Sequence, residues 1–240
     1  MSTTMLPLVE QKWAEYSDDN HAAWGLLFQK RMLELERTGC ELFLQGAEAI
    51  GLNRDHVPDL EDVNRRLARR TAWEAVPVSG FIPAADFFAC LARRKFPTTI
   101  TIRALDRLDY IPEPDIFHDV FGHVPLHADL VFANFLQRFG QVATRARSEE
   151  QTTWMARLFW FTVEFGLIRE GQRTKVYGSG LISSAADAAN ALSTACERRP
   201  FDLDEVINQP FEIDHLQNIL FVTSSFGQLF DAVNEMEHRL

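Results

Sequence analysis

Cysteine is scarce: Cys40, Cys90 and Cys196 stand 50 and 106 positions apart, with no C-x-x-C pair and an odd count. This spacing argues against a disulfide framework or a thiolate metal site and predicts three buried thiols in a reducing compartment. Long apolar runs are also missing. The stretch MSTTMLPLVEQKW has no basic flank ahead of an apolar core, and nowhere is there a run of about 18 apolar residues, so neither a signal peptide nor a membrane span is expected. Positive charge is in deficit. Against 34 acids stand 24 Lys plus Arg, a formal charge of −10 that repels nucleic acid and anionic lipid over much of the surface. Neither is expected as a partner, and the location is read as cytoplasmic. With 46% hydrophobic and 24% charged residues the chain has a folded protein's composition, and no repeat, low-complexity tract or Pro/Gly/Ser-rich linker divides its 240 residues.

What is present is mostly helical patterning. DDNHAAWGLLFQKRMLELERTG carries Trp24, Leu27, Phe28, Met32 and Leu35 at three-and-four spacing, with Asp18 or Asp19 available as a cap. DLEDVNRRLARR predicts a second helix. Between 73 and 111, WEAVPVSGF and TTITIR read as strands around the helix PAADFFACLARRKF, which Pro83 opens. Further helices are expected from Pro114, over 129–148 and over 152–169 with Gly171 as its stop, near 182–194 and from Ser225; extended segments are expected near 173–177 and 211–222. The class is mainly α with a few short β-strands, α+β, in one domain.

Three of only seven histidines fall in PEPDIFHDVFGHVPLHAD: His118, His123 and His127. Pro114 and Asp115 suit a helix start, while Gly122 and Pro125 predict its end, placing His118 inside and His123 at the terminus. Residues five apart diverge by about 140° on a regular helix. Two imidazoles therefore converge only if the helix breaks between them, and Gly122 supplies the left-handed turn for such a break. The pair is compatible with metal binding and equally with two ordinary histidines near a helix end. HDVFGH is not the HExxH pattern. His127, beyond the stop signal, is read as a surface or supporting residue.

A third donor is suggested by an acid in the wrong place. Glu164, in MARLFWFTVEFGLIREG, has Trp160, Phe161, Leu167 and Ile168 as its helical neighbours, so its carboxylate falls on the face to be buried. Burial of a lone carboxylate costs several kcal/mol unless it is protonated, paired or metal-bound. Arg103 or Arg157 could pair it. Otherwise two imidazoles and one carboxylate form the facial triad of non-haem Fe(II) oxygenases.

These stretches, with LFWFTVEFGLIREG and KVYGSGLISS, resemble the catalytic domain of the tetrahydropterin-dependent aromatic amino acid hydroxylases, particularly the short bacterial phenylalanine hydroxylases, from about residue 18 to 235. The resemblance implies that family's mixed, mainly helical catalytic-domain fold, with His118, His123 and Glu164 holding Fe(II). It implies a substrate carboxylate gripped by Arg103, with Asp115 supporting that arginine, and Ser183 near iron and substrate. For the pterin it implies main-chain bonding near Ile82, stacking on Phe87, and Asp119 close by. Two departures stand out: Ile111 where animal members have threonine, and Phe159 in the cofactor region where many relatives have tyrosine. The mammalian regulatory and tetramer-forming segments have no room in 240 residues, so a monomeric single catalytic domain over 1–240 is expected.

The implied reaction uses Fe(II), a tetrahydropterin and O2 to hydroxylate an aromatic ring. Trp160 matches a tryptophan of the phenylalanine and tyrosine enzymes. Ile213 stands where tyrosine hydroxylases carry an acid, and an apolar residue leaves a phenolic hydroxyl unpartnered. Phenylalanine, converted to tyrosine, is therefore the expected substrate. Tryptophan, or phenylalanine attacked at another carbon, is the runner-up. Two other readings stay open at this level: a non-catalytic binder of metal and aromatic amino acid, and a zinc hydrolase using Asp119 as general base.

Overall fold

The structure is a computed structural model that describes residues 7–80, 82–108 and 114–240. Helix α1 (Asp18–Thr38) opens on a capping box in which Ser17, and not Asp18 or Asp19, accepts from the Asn20 amide. Its Trp24, Leu27 and Leu35 are buried as the spacing predicts. Helices α2 (Glu41–Ala49) and α3 (Leu60–Ala68) follow, α3 capped by Asp59. Strand β1 (Glu74–Pro77), helix α4 (Ala84–Leu91) and strand β2 (Lys95–Thr98) then form a small unit in which β1 and β2 pair in parallel. The ladder thus uses KFPT, whereas the expected strand TTITIR contributes only Thr98 to it. Alternation of Ile and Thr marks extended backbone, but pairing partners are set by the α4 crossover that returns the chain to β1.

From Phe117 to His123 the chain forms a π-helical segment, continued without a break by a 3₁₀ helix from Val124 to Ala128. Helices α5 (Leu130–Ala143), capped by Asp129, and α6 (Glu149–Phe159) follow, and α6 runs into a second π-helical segment, Trp160–Glu164. The helix expected to reach 169 therefore stops at Glu164. Leu167 and Ile168 lie in strand β3 (Leu167–Glu170), which turns at Gly171, φ +56°, into the antiparallel strand β4 (Arg173–Val176). A short apolar pair fits either period, and here the sheet claims it.

Helices α7 (Ser179–Ser183) and α8 (Ala185–Leu192) precede strand β5 (Glu197–Pro200), helix α9 (Leu203–Asn208), strand β6 (Ile219–Thr223) and helix α10 (Phe226–Arg239), capped by Ser225. The larger sheet has the order β4-β3-β6-β5, with β6 parallel to both neighbours. A continuous core rich in phenylalanine joins these elements. Phe117 and Phe121 stack at 4.6 Å and pack edge-on against Trp24 and Phe43, anchoring the first π-helical segment from α1 and α2. Cys40, Cys90 and Cys196 are all buried and unpaired, as expected. No helix among the described residues is long and apolar enough to cross a membrane.

Candidate active site

Residues five apart meet here by a route different from the expected one. In a π-helix each backbone hydrogen bond spans five residues, so positions i and i+5 share a face without any break. Gly122 is not among the residues with positive φ. Its lack of a side chain serves packing instead, because a Cβ there would lie 3.0 Å from the Ser179 carbonyl oxygen on α7. The rings of His118 and His123 sit 5.1 Å apart and perpendicular.

Glu164, the last residue of the second π-helical segment, completes the cluster. Its Oε1 lies 3.1 Å from His123 Nε2 and its Oε2 lies 3.7 Å from His118 Nε2. One donor atom from each of the three lies within 4.8 Å of the others. Burial alone would push the Glu164 carboxyl up, but His123, His118 and a hydrogen bond from Ser179 outweigh it and hold the pKa at about 2. Neither candidate arginine pairs with it: Arg103 binds Asp115, and Arg157 donates to the Ile207 carbonyl at 2.8 Å.

Helix α7 orients two of the three donors. Ser183 Oγ donates to the Ser179 carbonyl at 2.8 Å, so its lone pairs accept from His118 Nδ1 at 2.9 Å. That assigns the proton of His118 to Nδ1 and turns the Nε2 lone pair toward Glu164. Ser179 Oγ donates to Glu164 Oε2 at 2.6 Å. Arg31, buried in α1, holds α7 in turn by donating to the Leu181 and Ile182 carbonyls at 3.0 and 2.8 Å. Neither Ser179 nor Arg31 was singled out from sequence. The spacing of Ser179 and Ser183, four apart on one helical face, was the available signal for the first. Arg31 gave none, since a lone arginine on an amphipathic helix resembles any solvated charge.

Arg103 and Asp115 form a bidentate pair at 2.8 and 2.9 Å, and Asp115 also accepts from the His118 amide at 3.0 Å. Burial favours the neutral form of Asp115, yet the adjacent guanidinium holds its carboxyl below the usual range. A third Arg103 hydrogen goes to the Leu108 carbonyl at 3.1 Å. Of five guanidinium hydrogens, two have no partner among the described residues, one on each terminal nitrogen. Arg103, Leu108, Arg31 and Ser183 share a cavity of about 360 Å³.

A second cavity, about 420 Å³, collects the other expected residues: Ile82, Phe87 and Asp119, together with Thr99 and Pro114. Asp119 accepts from the amide and the hydroxyl of Thr99, both at 2.7 Å, and burial raises its carboxyl above the usual range despite His118 and Thr99. Phe159 packs edge-on against Phe87 at 5.5 Å, which places it behind the cavity and explains how an apolar ring is tolerated there.

Ile213, Trp160 and His127 line neither of these two cavities. Ile213 is 78% exposed. Trp160 stacks on the neighbouring Phe211 at 4.4 Å and donates to Gln217 at 3.3 Å. His127 is not at the surface: the 3₁₀ helix carries it inward, 1% exposed, against Trp73 at 4.6 Å. Ile111 lies outside the described residues.

Residues 8–240 match the family model described as biopterin-dependent aromatic amino acid hydroxylase. Phenylalanine-4-hydroxylase of Chromobacterium violaceum is 41% identical over 218 residues, covering 90% of this chain and 73% of that protein. The Ralstonia nicotianae enzyme of the same name is 41% identical over 225 residues, 93% of this chain and 72% of that one. Among solved structures, Chromobacterium violaceum phenylalanine hydroxylase with bound oxidised Fe(III) superposes with a TM-score of 0.92 at 39% identity, covering 98% of this chain and 87% of that one. The same enzyme with iron(III) and oxidised 7,8-dihydrobiopterin also gives 0.92 at 39% identity, covering 97% and 85%. Built on the same fold around the same mainly helical core, this chain belongs to the biopterin-dependent aromatic amino acid hydroxylases.

Proposed function

We propose that the chain is an iron- and tetrahydropterin-dependent monooxygenase that hydroxylates free L-phenylalanine to L-tyrosine. The observation that carries this reading is the convergence of His118, His123 and Glu164 on one point. Two imidazole nitrogens and one carboxylate suit Fe(II), and a single facial set leaves positions open for other ligands. The phenylalanine-4-hydroxylases at 41% identity support the choice of substrate. When bound, iron and tetrahydropterin supply the two-electron reduction of dioxygen that ring hydroxylation needs.

The residues of the chain then hold and orient. His118 and His123 present Nε2, Glu164 presents a carboxylate oxygen, and Ser183 fixes the His118 tautomer. Arg103, preset by Asp115, offers its two remaining hydrogens as a fork to the substrate carboxylate. Trp160 supports the substrate side. Phe87 offers a ring face to the pterin in the cavity bounded by Ile82 and Asp119, whose walls are largely apolar. The zinc-hydrolase alternative has less support, because the relatives at 41% identity are phenylalanine-4-hydroxylases.

The test is reconstitution with Fe(II), a tetrahydropterin, oxygen and L-phenylalanine, with products identified by mass and NMR. Tyrosine from the wild type and none from Glu164→Ala is the expected result. Oxidation of tryptophan alone, or at another ring carbon, overturns the substrate assignment. Tight binding of iron and pterin with no oxidised product would favour the non-catalytic alternative.

A further inference from the structure

The two oxygens of Glu164 have different surroundings. Oε1 faces His123 Nε2 at 3.1 Å and accepts no hydroxyl hydrogen bond among the described residues, whereas Oε2 accepts the Ser179 hydroxyl at 2.6 Å. Ser179 is 1% exposed, so water does not compete for that hydroxyl. Its position is set from two sides. Gly122, between the two histidines, brings its backbone so close that a Cβ would stand 3.2 Å from the Ser179 Cβ, and Arg31 fixes the far end of α7. The carboxylate at the end of a flexible side chain is thereby held in one rotation by a rigid donor.

We propose that Ser179 is a positioning residue that occupies Oε2 and leaves Oε1 as the single oxygen Glu164 offers to a metal ion. This rests on the reading of His118, His123 and Glu164 as ligands and adds how one of them is presented. A carboxylate with both oxygens free can close on a metal through two bonds, filling a position that co-substrates need. A hydrogen bond to one oxygen opposes that closure, since the ion would have to displace the donor or share its lone pairs. Sequence supplies the residue, in YGSGLISS, and the tertiary structure supplies the partner, fifteen positions earlier.

The experiment is titration of the metal-free protein with Co(II), reading affinity by competition with a chromophoric chelator and coordination from the visible absorption. Wild type, Ser179→Ala, Ser179→Thr and Glu164→Ala are compared, with thermal midpoints of each metal-free protein. Ser179→Ala is expected to bind Co(II) about 10- to 100-fold more weakly, as loss of a partner behind a ligand does, and to show a weaker visible band as the ion gains an oxygen. Ser179→Thr keeps the hydroxyl and restores the wild-type band. A Ser179→Ala protein with wild-type affinity and spectrum overturns the proposal, as does one that loses only thermal stability, because the bond is then merely structural. Wild type that fails to bind Co(II), or Glu164→Ala that binds as tightly, sinks the ligand assignment itself.

Discussion

Arg103 and Asp115 face each other across two hydrogen bonds, at 2.8 and 2.9 Å, with side chains only 8% and 6% exposed. Removing one partner of such a pair leaves the other charge buried and uncompensated, which typically costs about 3–5 kcal/mol. Asp115→Ala is therefore expected to lower the unfolding free energy by roughly that amount and to raise KM for phenylalanine, since the guanidinium loses its preset orientation. Urea unfolding of the metal-free protein and steady-state kinetics check both. A variant that melts as the wild type does would mean that water or another group solvates Arg103.

Ser183 acts on His118 through its ring proton. With Ser183→Ala the Nδ1 hydrogen loses its acceptor and the tautomer is no longer enforced. Metal affinity or activity is expected to fall about 10- to 100-fold, while α7 persists, because Arg31 still holds its carbonyls. Chelator competition reads the affinity, and a value within twofold of wild type would refute the orienting role.

His127 is buried with both ring nitrogens unpartnered among the described residues, and desolvation holds its pKa well below the usual value. Below about pH 6.5 the unfolded chain takes up a proton at this position that the folded chain refuses, so stability falls as pH falls. The contribution is about 1.4 kcal/mol per pH unit until the depressed folded value is reached. His127→Phe, which keeps a ring against Trp73, should lose less stability than wild type between pH 7.5 and 5.5 in urea unfolding at constant m. Parallel loss in the two proteins would show that His127 is protonated in the fold.

Phe87 lines the larger cavity and is braced by Phe96 and Phe159. An aromatic pair contributes about 0.5–1.5 kcal/mol beyond its buried area. Phe87→Leu is expected to raise KM for the tetrahydropterin roughly 2- to 10-fold with a smaller effect on KM for phenylalanine. An equal rise in both constants would place Phe87 in general packing instead of against the pterin.

Much of this molecule was legible locally. Helices α1, α3, α5 and α10 announce themselves through apolar spacing and cap residues, because both signals act within a few residues along the chain. The three donors were legible too: clustered histidines and an acid among aromatic neighbours violate the ordinary partition between surface and core. The sequence by itself therefore determined the class of fold and brought forward His118, His123 and Glu164 as candidate ligands in apolar surroundings.

Tertiary structure decided how those donors meet. A π-helical turn is rare on its own, and here packing of Phe117 and Phe121 on one side and of α7 on the other selects it, so His118 and His123 converge without the break expected at Gly122. Leu167 and Ile168 satisfy helical and strand periods alike, and only pairing with β4 and β6 settles them. The partners of Glu164 and Arg103, and the inward course of His127, are contacts between segments distant in sequence. Their energies depend on distance and burial in the folded chain, which residue spacing does not encode.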